Sequence, residues 1–244
     1  MNDPEFRARL SAANRSELLY LLSYIKKFNE QVVLSFSDDG LRIQVADPAH
    51  VAMLNVCVSR NFFTTLVAHG EIGVNVGLFH KIIGMMDGDT LFEYDAQKAK
   101  LRVSDADTVF EMACFVLDCE NFEFPEEEIA QMNPIELLFG GSSQLLIDTV
   151  KQWAGKFGAD SVRFDIEDDR LTLSAETIET TIQKTVSIMG SKNWAGKFNT
   201  RYLTQLQKTD NDLVLSWRHD FPLMIEERAP FFVIQTFIAP MMTD

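Results

Sequence analysis

One order of elements, helix then strands then helix then strands, occurs twice in this chain of 244 residues. That duplication restricts the fold more than any single motif. In the first half, "SELLYLLSYIKKF" places Leu18, Leu21, Leu22, Ile25 and Phe28 on one helical face. Ser16 is its expected N-cap. "VVLSFSDDGLRIQVA" reads as a hairpin turning at Asp39-Gly40, and "VAMLNVCVS" as a further strand. "VGLFHKIIGMM" is a second helix, "TLFEYDAQKAKLRVSD" a second hairpin and "TVFEMACFVL" a closing strand. The second half repeats the series. "SSQLLIDTVKQWAGKF" is helical, "DSVRFDIEDDRLTLSA" is a hairpin turning at Asp168-Asp169, and "TTIQKTVSIM" is a strand. A short helix in "NTRYLTQLQK", the hairpin "DLVLSWRHDFPLMIEE" and the strand "FFVIQTFIA" complete it. A period of about half the chain signals a tandem domain duplication, not a solenoid. The expectation is an α+β fold of two topologically similar domains, each with antiparallel sheets and two helices. Their bounds are 1–117 and 135–244, with a connecting loop at 118–134.

Hydrophobic residues make up 46% of the chain, enough for a sizeable core. The net charge of −14 excludes a uniformly basic surface, but charge can segregate between faces. It does segregate by element. The first helix has Arg15, Lys26 and Lys27 against Glu17, and the second has His80 and Lys81 with no acid before Asp87. The third has Lys151 and Lys156 against Asp148, and the fourth has Arg201 and Lys208 with no acid until Asp210. Two readings compete. Last-turn cations complement helix dipoles; alternatively, all four helices share one surface that faces a polyanion.

Several chemistries lack their residues. His50, His69, His80 and His219 form no H-x-H or H-E-x-x-H pattern, and there is no P-loop or G-x-S-x-G elbow. "GEIGVNVG" misplaces its glycines for a dinucleotide fingerprint. The pairs Asp38/Asp39, Asp87/Asp89 and Asp168/Asp169 could be metal carboxylates of a hydrolase, but each sits at a turn, where Asp is favoured for backbone reasons. Neither a cofactor nor a metal is expected. Cys57, Cys114 and Cys119 suit neither a disulfide framework nor a zinc site, which favours a reducing, intracellular compartment. "MNDPEFRARL" has no apolar h-region for a signal peptide, and no run approaches a membrane span.

The connecting loop "NFEFPEEEIAQMNP" contains prolines that argue against a helix interior or central strand, yet it carries Phe122 and Phe124. Those rings either pin the loop to the sheets or form part of a binding site.

Seven segments in order carry a family resemblance: "FRARLSA", "DDGLRIQVADPAHVAML", "VNVGLFHKIIGMM", "FEFPEEE", "TRYLTQLQK", "DFPLMIEE" and "TFIAPM". Together the chain resembles sliding clamps of the proliferating-cell-nuclear-antigen type, most divergently between about Ile135 and Ala195. The resemblance implies the DNA clamp (processivity) fold, a trimeric ring of six domains that encircles duplex DNA without sequence specificity. It implies a non-enzymatic processivity factor, nuclear in a eukaryote and otherwise cytoplasmic. Arg15, Lys26, Lys27, Lys81, Lys151, Lys156, Arg201 and Lys208 are the DNA-facing candidates. Gly84 falls where many relatives carry a further lysine. Ring closure would pair the strand holding Phe110, Met112 and Cys114 with a neighbour's strand holding Ile182, Val186 and Ile188.

The resemblance also implies an outer pocket for short peptides from polymerases, the clamp loader, ligases and nucleases. Its residues carry over to Ala46, His50, Val51, Phe122, Phe124, Pro125, Pro222, Phe237, Ile238, Ala239 and Pro240. Phe122 and Phe124 are bulkier than the family's aliphatics, and Ala46 is smaller than its common methionine. The modifiable lysine of eukaryotic relatives is replaced by acids in "IEDDRL". A subunit of a heterotrimeric or checkpoint-type clamp is the alternative within the same fold.

Overall fold

The computed structural model describes residues 6–68, 70–115, 129, 135–138, 143–168, 170–187, 193–206, 212–217 and 222–241. The chain divides into two compact units. The first comprises Met1–Phe124 with Pro230–Val233, and the second Pro125–Ala229 with Ile234–Asp244.

In the first unit, β1 (Phe6–Leu10), β5 (Phe63–Ala68), β7 (Thr90–Asp95), β8 (Lys100–Ser104) and β9 (Val109–Ala113) form a sheet in the order β5-β1-β7-β8-β9. β2 (Gln31–Ser37), β3 (Gly40–Ala46), β4 (Ala52–Ser59) and β6 (Gly70–Asn75) run in the order β4-β3-β2-β6. The helices are α1 (Arg15–Ile25) and α2 (Val76–Gly84). The apolar stripe read on α1 is inside: Leu18, Leu21, Leu22, Ile25 and Phe28 are all buried. Phe79 of α2 packs on Phe92 of β7 with centroids 5.9 Å apart, and Phe6, Phe36, Phe62 and Phe63 fill the rest of the core. Edge-on rings of this kind combine area burial with favourable quadrupole contacts.

In the second unit, β11 (Ser161–Glu167), β12 (Arg170–Glu176), β13 (Thr181–Ser187) and β14 (Trp194–Asn199) take the order β13-β12-β11-β14. β10 (Ile135–Leu138), β15 (Asp212–Trp217), β16 (Leu223–Arg228) and β17 (Phe232–Ile238, in this unit from Ile234) take the order β10-β15-β16-β17. The helices are α3 (Ser143–Phe157) and α4 (Thr200–Leu203). Leu146, Ile147, Val150 and Trp153 of α3 are buried, as are Phe164 and Phe198, whose rings meet edge-on at 5.5 Å.

The two strand orders correspond: β4-β3-β2-β6 matches β13-β12-β11-β14, and β1-β7-β8-β9 matches β10-β15-β16-β17. Every strand pairing among the described registers is antiparallel. Even the caps repeat. Asn75 ends β6 and accepts the Leu78 N–H at 2.8 Å, while Asn199 ends β14 and accepts the Arg201 N–H at 2.8 Å. Each asparagine ends a strand and starts a helix by satisfying an orphan N-terminal donor.

Three local expectations need correction. Ser16 is not the cap of α1. A 3₁₀ turn over Ala12–Asn14 winds the chain into the helix a residue earlier, and the Ser11 hydroxyl accepts the Asn14 N–H at 3.3 Å. The β2–β3 loop is Asp38-Asp39, because Gly40 already pairs with Ser37. Gly40 has φ +135°, and a Cβ there would lie 2.0 Å from the Val58 carbonyl oxygen, so the glycine serves the strand that follows the turn. Strands β1, β5, β6, β10 and β14 add to those expected from the sequence pattern. β5 and β6 together are one apolar-polar run bent between two sheets, and β10 has only four residues. Within β6, Gly73 allows the close approach of Phe115, whose N–H donates to the Gly73 carbonyl at 3.1 Å.

Candidate DNA-facing and partner-binding sites

The helix cations fall into two groups. Arg15 donates to the Met86 carbonyl, tying the start of α1 to the end of the α2 segment. Lys151 donates to the Leu206 carbonyl at 2.7 Å and is half-buried. These two hold the scaffold. Lys26 and Lys27 follow α1, Lys81 lies on α2, Lys156 is in the last turn of α3 and Arg201 lies on α4, and all are exposed. Lys27 sits 5.7 Å over the Tyr24 ring, and Arg201 5.7 Å over the Tyr202 ring. Such stacking orients a cation without neutralising it. Partial burial, and then the charge of Lys26, lower the His80 pKa, so His80 adds no positive charge at neutral pH. Lys208 lies outside the described residues.

The peptide-site candidates of the first unit sit on a turn that one residue organises. Asp47, absent from the candidates above, is buried after β3. Its Oδ1 accepts the N–H groups of Val51 at 2.8 Å and Ala52 at 2.7 Å, and its Oδ2 accepts Ala49 at 3.1 Å. The His50 N–H donates to the Asp47 carbonyl at 2.9 Å. This cage holds His50 at φ +54°, with His50 exposed and Ala46 and Val51 half-exposed. The signal in the sequence is the Asp-Pro turn, where the side chain bonds its own downstream backbone.

In the second unit, Phe237 and Ile238 are fully buried core residues of β17, and Ala239, Pro240 and Pro222 carry the accessible surface. The tail is fixed where the Met241 N–H donates to the Lys197 carbonyl at 2.8 Å. Phe122, Phe124 and Pro125 lie outside the described residues.

The strands named for ring closure are both outermost: β9 ends the five-stranded sheet and β13 ends its four-stranded sheet. On β9, Met112 is buried within its own unit, as is Cys114 just beyond the strand, and burial pushes the Cys114 thiol up to about 11. Phe110 is half-exposed, and its neighbour Val109 is 52% exposed. On β13, Ile182 and Val186 are half-exposed, on the face where Lys184 donates to Thr149 of α3 at 3.1 Å. Ile188 lies outside the described residues.

Asp89 and Asp105 serve the backbone, and Asp169 lies outside the described residues. Asp89 accepts the Ala12 N–H at 3.0 Å. Asp105 accepts Asp87, Asp107 and Thr108 N–H groups at 2.8–3.1 Å, and these donors lower its pKa. Among the described residues, no three His, Cys, Asp or Glu side chains converge as a metal site would require.

No protein-family model matches the chain. A probable DNA polymerase sliding clamp 2 of Paramecium bursaria Chlorella virus 1 is 26% identical over 227 residues, 86% of this chain and 82% of that protein. The proliferating cellular nuclear antigen of Entamoeba histolytica superimposes with a TM-score of 0.81 at 17% identity, covering 98% of this chain and all of that one. The A. fulgidus PCNA, solved with the C-terminal region of FEN-1, gives 0.81 at 15% identity over 98% and 99% of the two chains. Relatives along most of the chain and the duplicated sheets agree: the chain has the DNA clamp fold and is similar to sliding clamps of the proliferating-cell-nuclear-antigen type.

Proposed function

We propose that three copies of this chain close into a ring that encircles duplex DNA, slides along it and docks replication and repair proteins at its outer face. The observation that carries this reading is that β9 and β13, one in each unit, both lie at the edge of their sheets, as do β5, β6, β10 and β14 of the described strands. An edge strand exposes a row of unpaired N–H and C=O groups, and pairing it with a neighbour satisfies them. Because β9 and β13 are different surfaces, the contact is head-to-tail, and such a contact closes into a ring of three where each step rotates the next copy by a third of a turn.

Exposed Lys26, Lys27, Lys81, Lys156 and Arg201 would meet phosphates, which carry no sequence information. The contacts can stay weak because topological enclosure supplies persistence. The chain would work by holding other proteins on DNA rather than by acting on a substrate. The Asp47 turn, with Phe122 and Phe124 of the same unit, would receive anchored peptides with an aliphatic and two aromatic side chains.

The test is retention on DNA. A clamp loaded on closed circular duplex should stay through a salt step that abolishes phosphate contacts, and should leave within seconds once the circle is cut. Equal loss from intact and cut circles would sink the ring. For docking, Phe122→Ala with Phe124→Ala should weaken peptide binding while leaving the trimer intact. A double variant that unfolds would instead assign those rings to pinning the loop.

A further inference from the structure

The second unit has a groove of about 760 Å³ between the end of α3 and the β12–β13 turn, bordered by Lys156, Phe157, Gly158, Glu176, Ile178 and Thr180. Phe157 is nearly half exposed and Ile178 fully exposed. Two large apolar side chains at one groove, in a chain of net charge −14, call for a cover.

Strand direction identifies the cover, given the ring closure proposed above. All described pairings are antiparallel, so β9 continues the pattern by meeting β13 antiparallel. The end of β9, running into Phe115, then lies at the start of β13, beside Ile178. Phe115 is bonded to Gly73 of β6, and β6 leads directly into α2. Leu78 lies in the first turn of α2 and is nearly half exposed.

The faces agree as well. Phe79 of α2 packs on Phe92, and Phe92 pairs with Val103, which pairs with Phe110. α2 therefore covers the Phe110 face of its sheet. Lys184 reaches Thr149 of α3, so α3 covers the Ile182–Lys184–Val186 face of the other. A continuous sheet across the join puts α2 of one copy and α3 of the next on the same side.

We infer that Leu78 of one copy seats between Phe157 and Ile178 of the next, forming an apolar lock beside the paired strands. The occupant of the groove is a second copy of this chain, and the lock sets the strength of assembly. Strand pairing alone supplies backbone bonds that any exposed edge can offer. An apolar contact at one end distinguishes the correct edge and register from slipped ones.

The experiment is sedimentation equilibrium of the full chain against Ile178→Ser, Phe157→Ser and Leu78→Ser. Each should raise the subunit dissociation constant roughly tenfold or more, as loss of a buried apolar anchor does, with unchanged circular dichroism. Leu78→Ser combined with Ile178→Ser should cost less than the sum of the singles, because both remove one contact. Ile178 is fully exposed within its own chain, so its variant keeps the test open if Leu78→Ser disturbs folding. A wild-type trimer whose three variants assemble equally well overturns the lock and leaves the strand-paired ring standing. The same holds if the variants lose only binding to a different protein. A wild-type chain that stays monomeric overturns the ring reading, and the lock with it.

Discussion

The two units share a strand order but use their helices differently. In the first, α1 and α2 are 11 and 9 residues long. In the second, α3 has 15 residues and α4 only 4. The helix cations do not follow the helix lengths. Each unit has one scaffold cation, Arg15 on the Met86 carbonyl after α2 and Lys151 on the Leu206 carbonyl after α4, and exposed cations besides, Lys26, Lys27 and Lys81 in the first and Lys156 and Arg201 in the second. The sheets are therefore the repeated framework, and the helices are adjustable inserts. Both units use a cation of the first helix to fix the chain after the second, whatever that helix's length.

The comparison can be broken first at the cores. Phe92→Ala in the first unit and Phe164→Ala in the second should each cost about 3–5 kcal/mol. Chemical denaturation should register both losses. If only one of the two shifts the transition, the units are not equivalent in stability.

Next comes the Asp47 turn, whose counterpart between β12 and β13 is held by the uncharged Thr177 hydroxyl, which accepts the Thr180 N–H at 3.1 Å. Asp47→Ala removes a carboxylate that accepts three backbone N–H groups and should destabilise by about 2–3 kcal/mol. Titration calorimetry with a docking peptide should show weaker binding even where the variant is fully folded. Unchanged affinity would remove the turn from the docking site.

The cation division gives the third test. Lys81→Ala should make log affinity less steep against log salt, by about 0.9 for each phosphate that the lysine neutralises. Lys151→Met should leave that slope alone and lower the melting temperature instead. Identical behaviour of the two variants would erase the distinction between phosphate-facing and scaffold lysines. Smaller still is Gly84→Lys. The position is exposed, and its Cβ would meet only Leu19 at 4.0 Å. The variant should gain up to about 1 kcal/mol of helix stability and slightly tighter DNA binding.

The pH effect of His80 is the weakest. Its folded pKa lies below the ordinary 6.5, so its contribution to stability is complete above pH 6.5 and declines as pH falls toward the folded value. His80→Gln should flatten that decline in melting curves between about pH 7.5 and 5.5.

Much of this architecture is legible in the sequence because apolar spacing reports burial directly. Leu18, Leu21, Leu22 and Ile25 announce α1, and alternation announces β3 and β12. Short strands and bends do not show. β10 has too few residues to alternate, and β5–β6 changes sheets in the middle of one run. The site is legible as a set of cations and edge strands, but not in how each residue is used. Nothing in the spacing of Lys151 separates it from Lys156, since the carbonyl that binds Lys151 lies 55 residues away. Phe237 and Ile238 match the family's pocket positions, yet their side chains are packed inside β17, and the accessible tail begins at Ala239. Ile178 and Leu78 stand out only through their exposure in the folded chain.

Whether copies of this chain close head to tail is decided most directly by the solution mass of the purified protein at micromolar concentration. The account predicts about three times the 27.7 kDa chain, from light scattering coupled to size exclusion. A mass that stays at one chain across that range, or three copies reached only by adding different subunits, would contradict it.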